Sequence, residues 1–415
     1  MSTTLAPDAL HPYPLACRAC GLDAAPGVAA AICSNCLAPL DVVYPANRLL
    51  PDRQTIGSRA RSQWRYREWL PFGGEAVHAK DVGWTPLVES PAIARILGVD
   101  RVWLKVDALS SPSLSFKDRV VTTAINAAHA FDLGVIGCAS TGNLANAVAA
   151  AAARAGLPAW IFVPHDLEVS KLIATTVYGP KLVRVRGTYD DVNRLCAQLA
   201  DHFSWGIVNV NLRAYYGEGS KTMAFEIAEQ LGWRLPTAVV APMAGGSLVT
   251  KLHKGFGEFL DAGLVDGERP RIYGAQAAGC APIVRLFERG DEKLVPEVPS
   301  TVARSLAIGN PADGLAASRV LRATGGGAAA VDDETLLASI RELATIAGVF
   351  GETAAGVTYG AAKALAASGA FRRDDEVVIC ITGNGLKTVE ALTGDLEAIP
   401  TIAPRLKEVR ALWEQ

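Results

Sequence analysis

From residue 101 onward, short apolar runs alternate with longer stretches of mixed polarity. Short apolar runs predict strands that are buried on both faces, and the longer stretches predict helices. Two predicted helices cover residues 117–131 and 143–155, and the glycines at 325–327, followed by alanines, predict a loop. The predicted strands cover residues 101–106, 135–139, 159–163, 181–185, 207–210, 238–241, 271–275 and 377–381. Buried strands separated by helices indicate an α/β fold with open, mostly parallel sheets, in which ligands bind beyond the carboxyl ends of the strands.

The size and charge of the chain limit the class of protein to which it can belong. It has 415 residues, half of them hydrophobic, which exceeds what one core usually supports, so we expect two domains and a small appendage. With a net charge of −2 and no block of like charges, a nucleic-acid partner is not expected. The N-terminus lacks the features of a secretory signal, and the most apolar stretch, residues 145–163, is interrupted by polar residues. We therefore expect a cytoplasmic enzyme without a membrane span.

Four of the eight cysteines lie near the N-terminus in two C-x-x-C pairs. They are Cys17, Cys20, Cys33 and Cys36, and twelve residues separate the two pairs. Four thiolates can form a closed tetrahedral zinc site, which would be structural because protein supplies every ligand. A metal-free or redox-active cysteine cluster is the alternative. The remaining four cysteines are interpreted as small buried hydrophobic residues.

Lys117 is the first residue with a chemical signal. It lies in the stretch SLSFKDR at residues 113–119, shortly after the predicted strand at 101–106 and at the start of a predicted helix. Most lysines are solvated surface residues. A helix N-terminus and partial burial, however, both favour a neutral amine, which is the form that Schiff-base chemistry needs.

Three other motifs also stand where a predicted strand ends. Residues 139–143 read ASTGN, residues 241–248 read APMAGGSL, and residues 382–385 read TGNG. The first two open helices, where backbone amides and paired glycines can bind an anion, and the third offers a hydroxyl to a ring nitrogen. Taken singly, each motif could equally be a helix cap or a tight glycine turn.

In this order the four motifs resemble the fold-type II pyridoxal phosphate enzymes, also called the tryptophan synthase β family. The resemblance is strongest to the threonine synthases within that family, and it extends over residues 15–390. It includes four further stretches, at residues 208–213, 218–226, 305–313 and 352–358. The resemblance implies a pyridoxal 5'-phosphate enzyme that converts O-phospho-L-homoserine and water to L-threonine and phosphate.

The resemblance also implies roles for individual residues. Lys117 corresponds to the lysine that carries the cofactor and moves protons, Asn143 to the asparagine at the ring hydroxyl, and Thr382 to the residue facing the pyridine nitrogen. The cofactor-phosphate loop corresponds to Ala244, Gly245, Gly246, Ser247 and Leu248. Many family members have a G-N-x-G-N loop at this place, so phosphate binding by backbone amides is expected here, whereas an asparagine contact with the substrate is in doubt.

Five polar residues are candidates for contact with the substrate phosphate: Lys105, Ser140, Thr141, Asn211 and Arg213. Among them, Arg213 fits a bidentate phosphate contact best, because a guanidinium presents two parallel donors. A surface arginine is the alternative for that residue.

The expected organisation follows from the same resemblance. Residues 1–45 form a zinc-ribbon-like module, residues 46–130 and 216–415 a large cofactor domain, and residues 131–215 a small α/β domain. The partner is a small amino-acid substrate, and family members are commonly homodimers. Another fold-type II enzyme, such as a cysteate synthase or a threonine/serine dehydratase, is the nearest alternative. An inactive, zinc-bearing interaction protein is the alternative from a different class.

Overall fold

The computed structural model describes residues 10–25, 27, 29–30, 32–140 and 142–414. Its strands are β1 (His11–Pro12), β2 (Leu15–Cys17), β3 (Leu40–Val42), β4 (Phe72–Gly73), β5 (Leu87–Glu89), β6 (Arg101–Val106), β7 (Ile136–Ala139), β8 (Ala159–Pro164), β9 (Lys181–Val185), β10 (Gly206–Ile207), β11 (Ala238–Pro242), β12 (Arg271–Ala277), β13 (Gly327–Val331) and β14 (Glu376–Ile381).

The α-helices are α1 (Arg53–Ser58), α2 (Pro91–Leu97), α3 (Lys117–Ala130), α4 (Asn143–Ala155), α5 (Val169–Thr176), α6 (Tyr189–His202), α7 (Arg213–Gly219), α8 (Thr222–Gln230), α9 (Ser247–Asp261), α10 (Pro282–Arg289), α11 (Gly314–Ala323), α12 (Asp333–Ala347), α13 (Thr353–Ala367) and α14 (Leu406–Trp413). Short 3-10 helices cover Gln63–Trp69, Asp107–Leu109, Arg304–Leu306, Gly385–Lys387 and Val389–Ala398.

The larger sheet has six strands in the order β13-β12-β11-β14-β6-β5. All of its pairings are parallel except that of the edge strand β5, which runs antiparallel to β6. Every residue of the central strands β11 and β14 is buried, as is typical of parallel strands covered on both faces. The α/β fold predicted from the sequence is therefore confirmed.

The smaller sheet has four parallel strands in the order β10-β7-β8-β9. Its strands all lie between residues 136 and 207, whereas those of the larger sheet lie at 87–106 and 238–381. Helices α3 and α4 pack against each other, and α4 also packs on β7 and β8 of the smaller sheet.

The loop prediction for residues 325–327 was wrong in part. Gly327 opens β13, whose residues Ala328–Ala330 pair in parallel with β12. Glycine and alanine have low strand propensity, and this strand forms because a sheet edge beside β12 is available to it. Gly325, with φ of +64°, does turn the chain before the strand.

The N-terminal segment forms a small unit that we call the cysteine module, the described residues of 10–45. Strands β2 and β3 pair antiparallel within it, and β1 pairs with β4 outside it. Across the part of the chain that the structure covers, no helix combines the length and apolar character needed to cross a membrane.

Candidate active site

Lys117 lies at a strand end of the larger sheet, as the first residue of α3. The backbone N–H of the preceding residue, Phe116, donates to the carbonyl of Thr382 at 2.8 Å, which joins this turn to the end of β14. Lys117 is half-buried, and its Nζ lies 3.1 Å from the hydroxyl of Tyr216. The amine therefore points into the space between α3 and α7.

Asn143 opens α4 at a strand end of the smaller sheet. Its Nδ2 donates to Oε1 of Glu352 at 2.6 Å, and both side chains are buried. Burial raises the pKa of Glu352, while the amines of Lys171 and Lys387 act in the opposite direction. Within the described residues, Oδ1 of Asn143 and Oε2 of Glu352 have no hydrogen-bond partner, although both atoms are buried. A polar group of a ligand would satisfy them.

The glycine loop at residues 244–248 leads from β11 into α9. Gly246 has φ of +91°, which side chains disfavour, and a Cβ there would lie 2.8 Å from the carbonyl oxygen of Asp313. Helix α9 has no side-chain cap, so the first amides of the helix remain available. Amides at a helix start form an anion-binding site.

Ser140 and Thr382 complete the strand-end residues. The hydroxyl oxygen of Ser140 accepts hydrogen bonds from the N–H groups of Gly142 and Ala145 at 2.9 and 2.8 Å, so it caps the start of α4. Its own proton has no acceptor among the described residues. Thr382 directly follows β14, and its side-chain hydroxyl has no partner among the described residues.

One cavity contains most of the residues that the sequence predicted. The predicted residues that line it are Lys117, Ser140, Asn143, Arg213, Ala244, Gly245, Gly246, Ser247, Leu248 and Thr382. The predicted Thr141 lies outside the described residues. In the described part of the lining, the charged side chains are two basic ones, Lys117 and Arg213, and three acidic ones, Asp190, Asp313 and Glu352.

Lys105, predicted as a substrate contact, does not line this cavity. It is fully buried, and its Nζ donates to Oε2 of Glu226 at 2.7 Å, to the carbonyl of Thr85 and to Gln230. Three acceptors use the three donors of the ammonium. The prediction was wrong because Lys105 serves a buried ion pair with a residue far along the chain.

Asn211 is also absent from the cavity lining. Its Oδ1 accepts from the N–H of Ile207 at 2.8 Å, and its Nδ2 donates to the carbonyl of Trp205 at 2.9 Å. The side chain therefore holds the turn that follows β10, and that turn ends the strand earlier than predicted. Asn211 has a local backbone role in place of the predicted substrate contact.

Arg213 lines the cavity as predicted, but it already has a partner. Its Nη2 donates to Oδ2 of Asp313 at 2.6 Å. The side chain of Arg213 is 32% exposed and that of Asp313 is 10% exposed, so the pair lies at the rim of the cavity. A substrate anion at Arg213 would have to share it with Asp313.

Three polar residues that the sequence did not predict also line the cavity: Tyr189 and Asn193 on α6, and Asn209 after β10, which we call the polar wall. Asn209 donates through Nδ2 to the hydroxyl of Tyr189 at 3.2 Å and to Oδ1 of Asn193 at 3.0 Å. The run NVN at residues 209–211 contains both asparagines, and the sequence alone does not indicate which of them faces the cavity. The prediction named Asn211, whereas Asn209 lines the cavity.

The cysteine module brings its four thiols together. The Sγ atoms of Cys17, Cys20, Cys33 and Cys36 all lie within 4.8 Å of one another. The separations of Cys17 from Cys36 and of Cys20 from Cys33 are 3.4 and 3.7 Å. Zinc–sulfur bonds of about 2.3 Å in a tetrahedron place sulfurs about 3.8 Å apart. The cluster therefore has the size of a four-thiolate zinc site.

The chemical groups that line the cavity match those needed to bind pyridoxal phosphate. One space brings together an amine, a glycine turn at a helix start, and a hydroxyl and two buried oxygen atoms that have no partner in the described part of the chain. These are the contacts that a planar ring with an aldehyde, a phosphate, a hydroxyl and a ring nitrogen requires.

Comparison with known proteins agrees with this chemistry. Residues 79–383 match the family model described as "Pyridoxal-phosphate dependent enzyme". The chain is 32% identical to the threonine synthase of Methanosarcina acetivorans over 400 residues, which covers 96% of this chain and 98% of that protein. It is 33% identical to the threonine synthase of Methanocaldococcus jannaschii over 86% of this chain and 89% of that protein.

Solved structures share the fold at lower identity. Maize serine racemase superposes with a TM-score of 0.62 and 20% identity, covering 77% of this chain and 94% of that chain. Threonine deaminase isoform 2 from Solanum lycopersicum superposes with a TM-score of 0.63 and 20% identity, covering 76% of this chain and 84% of that chain. These structures support the fold alone.

Proposed function

The chain belongs to the family of pyridoxal-phosphate dependent enzymes, and from that premise we propose that it converts O-phospho-L-homoserine and water to L-threonine and phosphate. The observation that carries the proposal is the match to a threonine synthase over 96% of this chain and 98% of that protein. The cavity supports it, because the amine of Lys117 and the guanidinium of Arg213 line the same space.

Four groups of residues would hold the cofactor. Lys117 would bind it covalently through Nζ, Asn143 would contact its ring hydroxyl, the amides of residues 244–248 its phosphate, and Thr382 its ring nitrogen. The cofactor supplies an electron sink that stabilises carbanions formed from amino acids. Glu352 orients Asn143, because the hydrogen bond between them fixes the direction of the amide.

Lys117 is also the proton carrier. When the substrate amine replaces it, its Nζ remains beside the reacting carbons as a free base. Nζ would take the proton from Cα and then one from Cβ as phosphate leaves from Cγ, and it would return a proton to Cγ and, after water adds at Cβ, a proton to Cα. The hydroxyl of Tyr216, at 3.1 Å, holds Nζ in place for these transfers.

Arg213 binds the substrate phosphate in this proposal. A guanidinium matches the geometry of a phosphate and keeps its charge at every relevant pH. The polar wall of Tyr189, Asn193 and Asn209 lies on the same cavity and adds neutral donors. The substrate is therefore held at its amino-acid end by the cofactor site and at its phosphate end by Arg213.

The test is phosphate release from O-phospho-L-homoserine, measured together with the visible absorbance of the purified protein. The wild type is expected to release phosphate, form threonine and absorb in the visible range, whereas Lys117→Ala should lose both properties. Lys181→Ala is the matched control, because Lys181 is exposed on β9. If the band persists in Lys117→Ala, then Lys117 does not carry the cofactor.

The same assay separates the alternatives. Turnover of phosphoserine or threonine, without phosphate release from O-phospho-L-homoserine, would indicate a cysteate synthase or a dehydratase. A protein that never acquires a visible band when incubated with pyridoxal phosphate would instead be an inactive scaffold.

A structural zinc ion is the second part of the proposal. Backbone N–H groups of Ala19 and Cys20 donate to Sγ of Cys17 at 3.4 Å, and that of Asn35 donates to Sγ of Cys33 at 3.4 Å. Such bonds stabilise thiolates, which are the form that binds zinc. With four protein ligands, the ion keeps no open position and has a structural role.

A further inference from the structure

Asp313 lies between two arginines that come from different parts of the chain. Its Oδ2 accepts from Nη2 of Arg213 at 2.6 Å, and its Oδ1 lies 3.9 Å from Nη1 of Arg18. Arg213 and Asp313 line the active-site cavity. Arg18 belongs to the cysteine module, where it stands between Cys17 and Cys20. The module thus supplies a cation to the rim of the cavity.

The position of Arg18 is fixed by a second carboxylate. Its Nε and Nη2 donate to the two oxygens of Asp41 at 2.8 and 2.7 Å. This paired geometry leaves Nη1 directed toward Asp313. Asp41 also lies 4.0 Å from Nζ of Lys251 on α9, so the module is in contact with the helix that follows the glycine loop.

The backbone of Asp313 is fixed against the glycine loop, while its side chain is not. Its N–H donates to the carbonyl of Gly245 at 3.0 Å, and its carbonyl occupies the space that a Cβ of Gly246 would need. A change of partner at the Asp313 carboxylate can therefore occur by side-chain rotation, without displacing the loop.

A substrate anion that binds Arg213 must compete with Asp313 for it. If Arg213 turned to the anion and nothing else lay nearby, a 10% exposed carboxylate would lose its counter-ion, which is unfavourable. Arg18 is the cation that remains beside Asp313 after this exchange.

We propose that Arg18 is a positioning residue for the substrate anion: it pairs with Asp313 when Arg213 binds the anion, and so it strengthens anion binding without touching the substrate. The inference rests on the proposed function only in taking that anion to be a phosphate. It gives the cysteine module a role in substrate affinity in addition to a structural one.

The experiment compares wild-type holoenzyme with Arg18→Gln. Inorganic phosphate is titrated into each by calorimetry, and KM and kcat are measured for O-phospho-L-homoserine. We expect both the phosphate Kd and KM to rise about fivefold in Arg18→Gln, the size of a single partly exposed charge contact. We expect kcat, the visible absorbance and the metal content to stay at wild-type values, because Arg18 acts on neither the chemistry nor the cofactor.

A double-mutant cycle separates this role from a general loosening of the module. Asp313→Asn removes the competing charge, so adding Arg18→Gln to it should leave the phosphate Kd unchanged. Arg154→Gln is the matched control, because Arg154 is 45% exposed, against 37% for Arg18, and also pairs with an aspartate, Asp81, at 2.8 Å. It should have the phosphate Kd of the wild type.

Several results would overturn the inference. They are an unchanged phosphate Kd in Arg18→Gln, an equal effect of that change in the Asp313→Asn background, and a wild-type holoenzyme that binds no phosphate. If Arg18→Gln loses metal, Arg18→Lys is used in its place, because it keeps the positive charge. A phosphate Kd in Arg18→Lys as high as that in Arg18→Gln would contradict a role for the charge. The proposed function fails separately, through absence of phosphate release by the wild type, and the calorimetric titration still tests the exchange.

Discussion

At the scale of single residues, position at a strand end was the informative signal. Lys117 and Thr382 lie at the larger sheet and Asn143 at the smaller one, yet all three line one cavity. Within each sheet, parallel strands bring their carboxyl ends to one edge, and the cavity lies where those two edges meet. No comparable sequence signal identifies which residues pair with a buried side chain. Lys105 was misplaced because its partner, Glu226, follows 121 residues later. Glu352 was overlooked as a partner of Asn143 for the same reason.

Thr382 offers a test at this scale. Thr382→Val keeps the shape of the side chain and removes the hydroxyl that would contact the ring nitrogen. A hydrogen bond to a charged group contributes about 1.5–3 kcal/mol, so kcat should fall by about 10- to 100-fold. The assay is phosphate release, with the position of the visible absorbance band as a second readout. Thr382→Ser retains the hydroxyl and should recover most of the activity, and failure of both variants alike would argue against a hydroxyl role.

At the scale of elements, regular strands and helices were readable from the sequence, and small irregular ones were not. β6 was predicted at its observed bounds because Val102, Trp103 and Leu104 form an apolar run that a single lysine separates from Val106. The edge strand β13 was not, because its run of alanines carries no strand signal of its own. Pairing with β12 fixes it, and that pairing is a property of the sheet.

The turn before α9 gives a prediction about an element start. Gly246→Ala places a Cβ at φ of +91° and 2.8 Å from a carbonyl oxygen, so the loop must shift. We expect the Kd for pyridoxal phosphate to rise about tenfold or more, since strain of this kind costs about 1–3 kcal/mol. The measurement is a spectroscopic titration of the apoenzyme. Gly245→Ala is the control, because a Cβ there meets nothing within 4 Å, and an equal effect at both glycines would refute the steric argument.

The cysteine module gives a second prediction at this scale. Purified wild type should contain about one zinc per chain by elemental analysis, and Cys36→Ser should lose it, because three thiolates leave the tetrahedral site incomplete. Cys280→Ala is the control, since Cys280 is buried outside the module and should leave the zinc content unchanged. Full zinc content in Cys36→Ser would remove that cysteine from the ligand set.

At the scale of the whole molecule, a buried ionic cluster joins segments that are distant in sequence. Arg119 on α3 pairs with Asp107 after β6 and with Glu226 on α8, at 2.6 and 2.5 Å. Glu226 also accepts from the N–H groups of Trp84 and Thr85 in the segment before β5. No local pattern predicts such a cluster, because each member read alone is an ordinary charged residue. Its existence depends on the completed fold.

Glu226 should therefore make the stability of the whole protein depend on acid. Burial alone would raise the pKa of Glu226, but Arg119 and Lys105 outweigh it and lower the pKa from 4.5 to about 2. A lowered folded-state pKa means that the contribution is fully present above about pH 4.5 and is lost as the pH falls toward 2. Glu226→Gln leaves two buried cations without that charge, so it should destabilise the protein by about 3–5 kcal/mol at pH 7.

The measurement is the urea midpoint of unfolding, followed by circular dichroism from neutral pH downward. The difference in urea midpoint between wild type and Glu226→Gln should be largest at neutral pH and should narrow below about pH 4.5. There the unfolded wild type binds a proton at Glu226 before the folded protein does, which lowers its stability, whereas the glutamine variant has no carboxylate to protonate. Glu288→Gln, at an exposed position on α10, should track the wild type throughout. A gap that stays constant with pH would mean that Glu226 contributes through packing and not through its charge.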